Sequence, residues 1–295
     1  MSFKITVLFE KSKDISSRKV MFYKACITFC LAITIVHLSA QLPLYMPRNI
    51  AKAYQKKTRQ IDGKPGKNYW QNHGVYDIKI NVSPPCRKIE GKETICYTNN
   101  SPDTLATLVI KLILNIHKLG AQRYSDVSED YLNKGIRIDE VTVDGKKINW
   151  KEPAQHCTWQ TLFLPNHLLP QGSVKLTFQW HYDVSLEGNR EGMLDSTSFF
   201  LAYFYPRVAV YDDCNGWDRM NFTDAQEFYN DFNDYTLSVT VPQNFIVWST
   251  GTLQNTKDVL MPTYFERLNK SMVTDEIIHI TDQKDIDLKN ITVQK

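Results

Sequence analysis

Three signatures of enzyme active sites are missing from this 295-residue chain. No histidine is followed by glutamate, so the sequence lacks H-E-x-x-H, the motif that places two zinc-binding histidines on one helix face. It also lacks a G-x-S-x-G nucleophile elbow and a phosphate-binding P-loop. The seven histidines are scattered, which favours structural roles over metal binding. We therefore predict no catalytic residue, no metal ligand and no cofactor in this chain.

The sequence is also poor in net charge and in cysteine. A formal charge of +3 argues against a nucleic-acid-binding protein, which would carry a basic patch or stripe. No C-x-x-C pair occurs, which argues against a zinc knuckle. Four cysteines follow the N-terminal region, and the sequence leaves open whether they are free thiols or form disulfides: Cys86, Cys96, Cys157 and Cys214.

The N-terminal region has the organisation of an export signal. Basic residues precede a nearly uncharged apolar run over residues 25–40, and Ser39-Ala40 supplies a small residue for cleavage. The run is shorter than the roughly 20 residues of a membrane-spanning helix. We predict a signal peptide over residues 1–40, with Met21 as an alternative start, and an exported protein, periplasmic or extracellular. An uncleaved signal would instead anchor the chain to the membrane.

Residues 41–68 contain prolines, glycines and many basic residues without a clean hydrophobic period, which predicts a basic linker. Its charges indicate a solvated segment or, alternatively, contact with an acidic surface. The basic residues are Arg48, Lys52, Lys56, Lys57, Arg59, Lys64 and Lys67.

From Gly74 onward the pattern is typical of short β-strands separated by turns. Residues 75–82 alternate apolar and polar positions, the period of a half-buried strand. Residues 136–149 predict a hairpin, because Asp144-Gly145 suits a two-residue type I′ turn. Further strands are predicted over residues 93–98, 105–114, 161–164, 174–184, 198–205, 234–241 and 245–251, with another beginning at 277–280. The repetition of short strands indicates a mostly β fold, an antiparallel sandwich.

One segment departs from this strand pattern. Residues 258–271 place apolar side chains near helical spacing, with Pro262 where a first helical turn tolerates it, which predicts a short helix.

Residues 199–217, FFLAYFYPRVAVYDDCNGW, form a conspicuous aromatic segment. Arg207 lies among apolar residues and needs a charged partner, which Asp212 or Asp213 in the following turn could supply. The oxygen-bearing residues from Asp212 to Asp218 match no complete calcium-loop spacing, so no metal site is predicted. Alternatively, residues 199–217 have only a structural role, as a core strand followed by a turn.

Several motifs resemble the front of aminopeptidase-N-like zinc metallopeptidases, in the form found in Bacteroidetes. The likeness covers residues from about 69 to about 283. Its most specific part runs from Tyr205 to Trp217. Other matching stretches are Tyr69 to Asn72, Tyr76 to Ile78, Tyr97 to Leu105, Arg190 to Gly192, Glu227 to Tyr229, Asp234-Tyr235, Val241-Pro242 and Trp248 to Gly251.

The resemblance implies a saddle-shaped, antiparallel N-terminal β domain over residues 69–295. In that family this domain packs on a catalytic domain that carries the zinc, and it walls the active-site cleft. One of its side chains helps hold the free amine of the peptide substrate. Tyr203-Phe204-Tyr205-Pro206 occupies that stretch, so Tyr203 and Tyr205 are candidate amine contacts, although relatives often have Gln in place of Tyr203. Arg207, Asp212, Asp213 and Trp217 are candidate structural residues of the cleft wall.

Two functional hypotheses follow. In the first, the chain is the non-catalytic N-terminal domain of an exported metallopeptidase, truncated at its C-terminal end and inactive alone. Its partners would be the missing catalytic domain, which would hold the zinc, and the N-terminus of the substrate peptide. In the alternative, it is a free-standing exported β-sandwich module that binds a peptide or a protein. An independent enzyme is the least favoured interpretation.

Overall fold

The computed structural model of the protein describes residues 45–187, 190–288 and 291–293. The chain divides into two units, Met1–Ala51 and Lys52–Lys295. The predicted signal peptide and the alternative start at Met21 lie outside the described residues. Within the described part, no helix combines the length and the apolar character needed to cross a bilayer.

The described residues form mainly β-strands, which confirms the mostly β fold class. The strands are β1 (His73–Val82), β2 (Lys88–Thr98), β3 (Leu105–Lys111), β4 (Arg137–Val143), β5 (Lys146–Lys147), β6 (Trp159–Leu168), β7 (Ser173–Asp183), β8 (Gly192–Asp195), β9 (Ser198–Phe200), β10 (Arg207–Val208), β11 (Tyr211–Asp212), β12 (Gly216–Trp217) and β13 (Asp234–Thr240). The helices are α1 (Arg48–Lys56), α2 (Thr256–Val259), α3 (Pro262–Ser271) and α4 (Gln283–Leu288), with 3-10 turns at Ile113–His117 and Glu129–Tyr131.

Two sheets contribute to one hydrophobic core. The larger sheet has the strand order β13-β1-β2-β7-β4-β5, and the smaller has the order β10-β3-β6. Buried residues of both, such as Ile78 on β1, Leu108 on β3 and Phe178 on β7, belong to one cluster. Alternation explains this packing, since successive residues of a strand point to opposite faces. Along β1 every second residue from Gly74 to Val82 is buried.

The hairpin predicted at Asp144-Gly145 is confirmed. Strands β4 and β5 pair across it, and the two turn residues have φ angles of 48° and 77°. A type I′ turn requires positive φ at both central positions, which glycine adopts freely and aspartate tolerates. The helix predicted over residues 258–271 is confirmed over Pro262–Ser271, which is α3, with Pro262 in its first turn. Residues 260 and 261 separate α3 from α2, so the prediction of a single helix is wrong.

Several strand predictions need correction. Strand β13 pairs with β1 in parallel, so the larger sheet is not wholly antiparallel. Residues 245–251 form no strand, because Ile246 packs into a small cluster with the buried side chains of Leu260 and Tyr264. Residues 277–280 form none either. Ile277 is 89% exposed, so no buried face supports a strand there.

The stretch interpreted as a linker contains ordered structure. Helix α1 spans Arg48–Lys56, and in the second unit Ala53 is fully buried and Thr58 nearly so. The Thr58 hydroxyl donates to the Ala53 carbonyl oxygen at 3.0 Å. Ile50, Ala53 and Tyr54 recur at the three- and four-residue spacing of one helix face, a signal that the interpretation as a linker overlooked.

Candidate functional site

The aromatic segment, residues 199–217, is only partly extended. Strand β9 ends at Phe200, so the strand predicted over residues 198–205 is confirmed only over its first three residues. Tyr203 has a φ angle of 59°, in the left-handed region, which is incompatible with a continuing strand. The segment then joins the smaller sheet through β10, which pairs with β3, and ends in the β11–β12 hairpin.

Tyr203, the first candidate amine contact, already has a hydrogen-bonding partner. Its hydroxyl oxygen accepts from Arg190 Nη1 at 2.7 Å, and Arg190 also pairs with Glu227. The Tyr203 ring packs on Phe222 and Phe228, with centroids 5.7 and 5.1 Å away. The phenol oxygen therefore serves as an acceptor for a guanidinium.

Tyr205, the second candidate, lies in a different environment. Its ring is in edge contact with Tyr76 and Tyr235, at centroid distances of 6.0 and 5.9 Å. Burial raises the pKa of Tyr205, and Tyr235 raises it further, whereas the Arg207 guanidinium opposes the shift. The phenol thus stays protonated, as one of a group of tyrosines beside an arginine inside the fold.

Arg207 is buried, with 7% of its surface exposed, but the predicted pairing with Asp212 or Asp213 is wrong. Its guanidinium carbon lies 4.0 Å from the centroid of the Phe228 ring, a cation–π contact. Among the described residues, Arg207 forms no ion pair, and its Nε and Nη2 atoms have no hydrogen-bond acceptor. Both aspartates have other partners: Asp212 bonds within the hairpin and to Tyr229, and Asp213 pairs with Arg59.

Asp212 and Trp217 stabilise the β11–β12 hairpin. An Asp212 carboxylate oxygen accepts the backbone N–H of Cys214 at 2.9 Å, and the other accepts the Tyr229 hydroxyl at 2.9 Å. The Trp217 ring is buried beside Tyr211 and Tyr97, at 5.0 and 6.4 Å. These contacts give both residues a structural role within the hairpin.

Asp213 connects the hairpin to the segment that follows α1. Its carboxylate pairs with Arg59 at 2.9 Å and accepts the Thr58 hydroxyl. Burial tends to raise the pKa of Asp213, but the hydrogen bonds from Arg59 and Thr58 outweigh it and hold the pKa below its ordinary value. Residues more than 150 positions apart in the chain are thus joined, a contact that sequence reasoning did not find.

Replacing Asp213 with alanine is expected to release the segment around Arg59. Loss of hydrogen bonds to a charged group should raise the population of locally open states. The rate of trypsin cleavage after Lys57, Arg59 and Lys67 should rise with it, by roughly tenfold. Asp62→Ala is the matched control, since the Asp62–Lys64 pair is exposed. Equal cleavage rates in the Asp213 variant and the parent chain would contradict this role.

Glu93 is a buried charge-bearing residue that sequence reasoning missed. It is 1% exposed on β2, and neither carboxyl oxygen has a hydrogen-bond partner among the described residues. Its neighbours across the strands are Ile78 and Phe178. Burial raises the pKa of Glu93 well above its ordinary value. The signal was present in the alternation of β2, where Glu93 shares a face with Ile95 and Tyr97.

The triplet Arg190-Glu191-Gly192 contributes a second buried contact. Glu191 lies 2.9 Å from Nε2 of His117, and both side chains are almost fully buried. His117 Nδ1 lies 2.9 Å from the Tyr131 carbonyl oxygen. Because a carbonyl can only accept, Nδ1 carries a hydrogen. His117 is a structural histidine, as expected for that scattered set.

The histidine, cysteine, aspartate and glutamate side chains of the described residues are not clustered into a metal site. Within residues 45–187, 190–288 and 291–293, no group of three or more metal-ligating side chains is arranged to hold an ion. The four cysteines in this part of the chain are free thiols, of which Cys86 and Cys96 are exposed. The arrangement around the aromatic segment offers phenols, a guanidinium and aromatic faces, which suit packing and recognition.

Comparisons with known proteins give similarity at the level of solved structures. No protein-family model matches the chain, and no curated protein matches it. A crystal structure of an M1 zinc metallopeptidase from Deinococcus radiodurans is 15% identical over 65% of this chain, with a TM-score of 0.34. A glutamate-to-alanine mutant of the M1 zinc metallopeptidase from that organism, bound to a Tyr-Ser-Ala substrate, is 16% identical, also over 65% of this chain and with a TM-score of 0.34. The chain spans 38% and 39% of the lengths of these two structures, and a similarity of this extent carries no conclusion about family or activity.

Proposed function

We propose that this chain is an exported, non-catalytic β module of an aminopeptidase-N-like zinc metallopeptidase, of the form found in Bacteroidetes. In this proposal it packs on a catalytic domain that carries H-E-x-x-H and the zinc, and it forms one wall of the cleft. The motif string from Tyr205 to Trp217 supports the family, and the missing H-E-x-x-H motif supports a non-catalytic role. Tyr203 and Tyr205 remain proposed contacts for the amine of the substrate.

The observation that carries the packing role is the uncovered face of β13. In the parallel register Tyr235 lies beside Tyr76, and Leu237 lies beside Ile78. Paired residues of neighbouring strands lie on the same face of a sheet. Tyr76 and Ile78 are buried in the core, whereas Tyr235 is 47% and Leu237 37% exposed. The face that is covered over β1 is thus only partly covered over β13, where Tyr235 stacks on Tyr76 and Val239 packs on the core. Its exposed part suits a second protein surface.

Replacing Leu237 with arginine is expected to abolish association with the catalytic domain, because a charge at a buried interface has no partner. The probe is the H-E-x-x-H polypeptide encoded together with or beside this chain, identified from the genomic DNA and co-expressed with it. Co-purification of the two, and zinc-dependent hydrolysis of aminoacyl arylamides by the complex but not by this chain alone, are the expected results.

Val75→Arg is the matched control for Leu237→Arg. Val75 is on β1, 46% exposed, and lies on the opposite face of the sheet from Tyr76. This variant should associate normally. Two results would contradict the proposal: the absence of any H-E-x-x-H polypeptide in the genomic neighbourhood, or zinc-dependent turnover by this chain alone.

A further inference from the structure

Strand β6 has a free edge. It pairs with β3 on one side, and no described strand pairs with it on the other. The backbone bond from Leu112 N to the Thr158 carbonyl, at 2.7 Å, shows which residues face β3. In an antiparallel ladder the hydrogen-bonded positions alternate. Trp159, Thr161 and Phe163 therefore direct their N–H and C=O groups to the open side.

A second contact agrees with this assignment of alternate β6 residues to the β3 side and to the open side. Val109 lies opposite Thr161 on β3, and its carbonyl accepts from Ala209 on the far side, at 2.8 Å. Val109 thus directs its backbone away from β6, as Thr161 must direct its own away from β3. The outward groups of β6 recur at every second residue, about 7 Å apart, the repeat that an added strand would match.

The side chain of Gln160 occupies part of this edge. Its Oε1 accepts the Thr161 N–H at 2.8 Å, and its Nε2 donates to the Lys151 carbonyl oxygen. One acceptor and one donor from a single amide are what a peptide group of a neighbouring strand would offer. Gln160 therefore stands in for one peptide group of a missing strand.

Beside this edge lies a cavity of about 520 Å³, bounded on its other side by residues 148–154. Both Trp150 and Trp159 line it, and the indole Nε1–H of each is buried with no acceptor among the described residues. Because neither nitrogen is accessible to solvent, the two tryptophans can offer the cavity only the apolar surfaces of their rings. Lys151 and Glu152, of opposite charge, both line the cavity, which favours an uncharged occupant.

We propose that this edge binds an extended peptide, which adds as a strand beside β6. The peptide displaces the Gln160 side chain from the Thr161 N–H and exchanges backbone hydrogen bonds with the outward groups of β6. An apolar side chain of the peptide packs on the rings of Trp150 and Trp159. Strand addition of this kind gains affinity from main-chain bonds and selectivity from side-chain pockets. The site is separate from the uncovered face of β13 and does not depend on the proposed function.

The probe is a blocked hexapeptide of alternating valine and threonine, titrated into the full chain. Tryptophan fluorescence reports binding, and amide hydrogen exchange at Thr161 and Phe163 reports strand pairing. Removing the competing amide with Gln160→Ala should tighten binding by about fivefold to tenfold. Thr161→Pro deletes the outward N–H at an edge position that tolerates proline, and should weaken binding by about the same factor.

Two matched controls isolate the edge. Gln179→Ala removes a partly buried glutamine on β7, away from the cavity, and should leave binding unchanged. The same hexapeptide N-methylated at alternate residues loses the donors for β6 and should fail to bind the parent chain, a comparison that needs no folded variant. Equal binding of the methylated and unmethylated peptides would overturn the proposal. So would fluorescence quenching by cellobiose without any peptide binding, since that result would assign the tryptophans to a sugar.

Discussion

Replacing Glu93 with methionine is expected to stabilise the fold, and to do so more at pH 8 than at pH 5. The carboxyl is buried between Ile78 and Phe178 without a hydrogen-bond partner among the described residues. Methionine has a similar length and suits these apolar neighbours. The difference in unfolding free energy between the variant and the parent chain should grow by about 1.4 kcal/mol for each pH unit above the ordinary Glu pKa.

The direction follows from where the proton is held. Burial raises the pKa of Glu93 well above its ordinary value of 4.5, so between those two values the folded chain keeps a proton that the unfolded chain has lost. Stability therefore falls as the pH rises through this window. Below pH 4.5 the stabilisation that comes from the proton on Glu93 is fully present. Above the raised pKa, Glu93 no longer makes the unfolding free energy depend on pH.

Denaturant unfolding of both chains between pH 4 and 9 measures this effect, and Glu90→Gln is the matched control. Glu90 lies on the same strand but is exposed and pairs with Lys88 at the surface. Its replacement should change stability by about 0.5 kcal/mol or less and leave the pH slope intact. If Glu93→Met and the parent chain show parallel pH dependence, Glu93 is charged in the folded chain, contrary to the prediction.

The larger sheet was predictable from sequence to the extent that one face of each strand is buried. The alternation in β1 and the Asp144-Gly145 turn are local signals, and both gave the observed elements. The parallel pairing of β13 was not predictable in this way. Strand direction depends on the path of the chain over the many residues between β1 and β13. The strand prediction over residues 245–251 was wrong for a related reason. Over a few residues, an apolar run that is buried against helices cannot be distinguished from one that is buried in a sheet.

The candidate site shows the same limit more sharply. Sequence proximity suggested Asp212 or Asp213 as the partner of Arg207. Instead Asp213 pairs with Arg59, and Arg207 packs on Phe228. Which charged side chains pair depends on which of them lie close together in the folded chain, so proximity in sequence predicts ion pairs poorly. The burial of Glu93 could have been predicted from the alternation that identifies the buried residues of β2, because Glu93 lies at an inward position between Ile89 and Ile95.

Replacing Asp218 with alanine is expected to destabilise the fold by about 3 to 5 kcal/mol, because it breaks a buried ion pair from one side. Asp218 lies 2.9 Å from the Lys111 ammonium, and the two side chains are 6% and 4% exposed. Lys111 also donates to the Met220 carbonyl at 2.7 Å, which alone cannot compensate a buried charge. Burial lowers the pKa of Lys111, and its hydrogen bond with Asp218 opposes that shift.

Two further variants distinguish the stability lost with the ion pair from the stability lost because alanine leaves a cavity. Glu140→Ala breaks the Lys147 pair, which has a similar length of 3.0 Å but is exposed, and should cost about 1 kcal/mol or less. The double variant Lys111→Met with Asp218→Leu should recover most of the stability, since apolar replacement of a whole buried pair is often neutral or better. Urea unfolding of all four chains provides the comparison. A double variant as unstable as Asp218→Ala would attribute the loss to packing.

The location of this pair explains why its loss should be large. Lys111 is the cross-strand neighbour of Arg207, so two cations lie side by side where β3 meets β10. Asp218 is the carboxylate that pairs with Lys111, and no described carboxylate pairs with Arg207. Without Asp218, the two cations would repel each other inside the fold, and β10 and the β11–β12 hairpin that follows it should separate from β3 first. Hydrogen exchange in the Asp218 variant should therefore accelerate at Ala209, which bonds to β3, before it accelerates in the larger sheet.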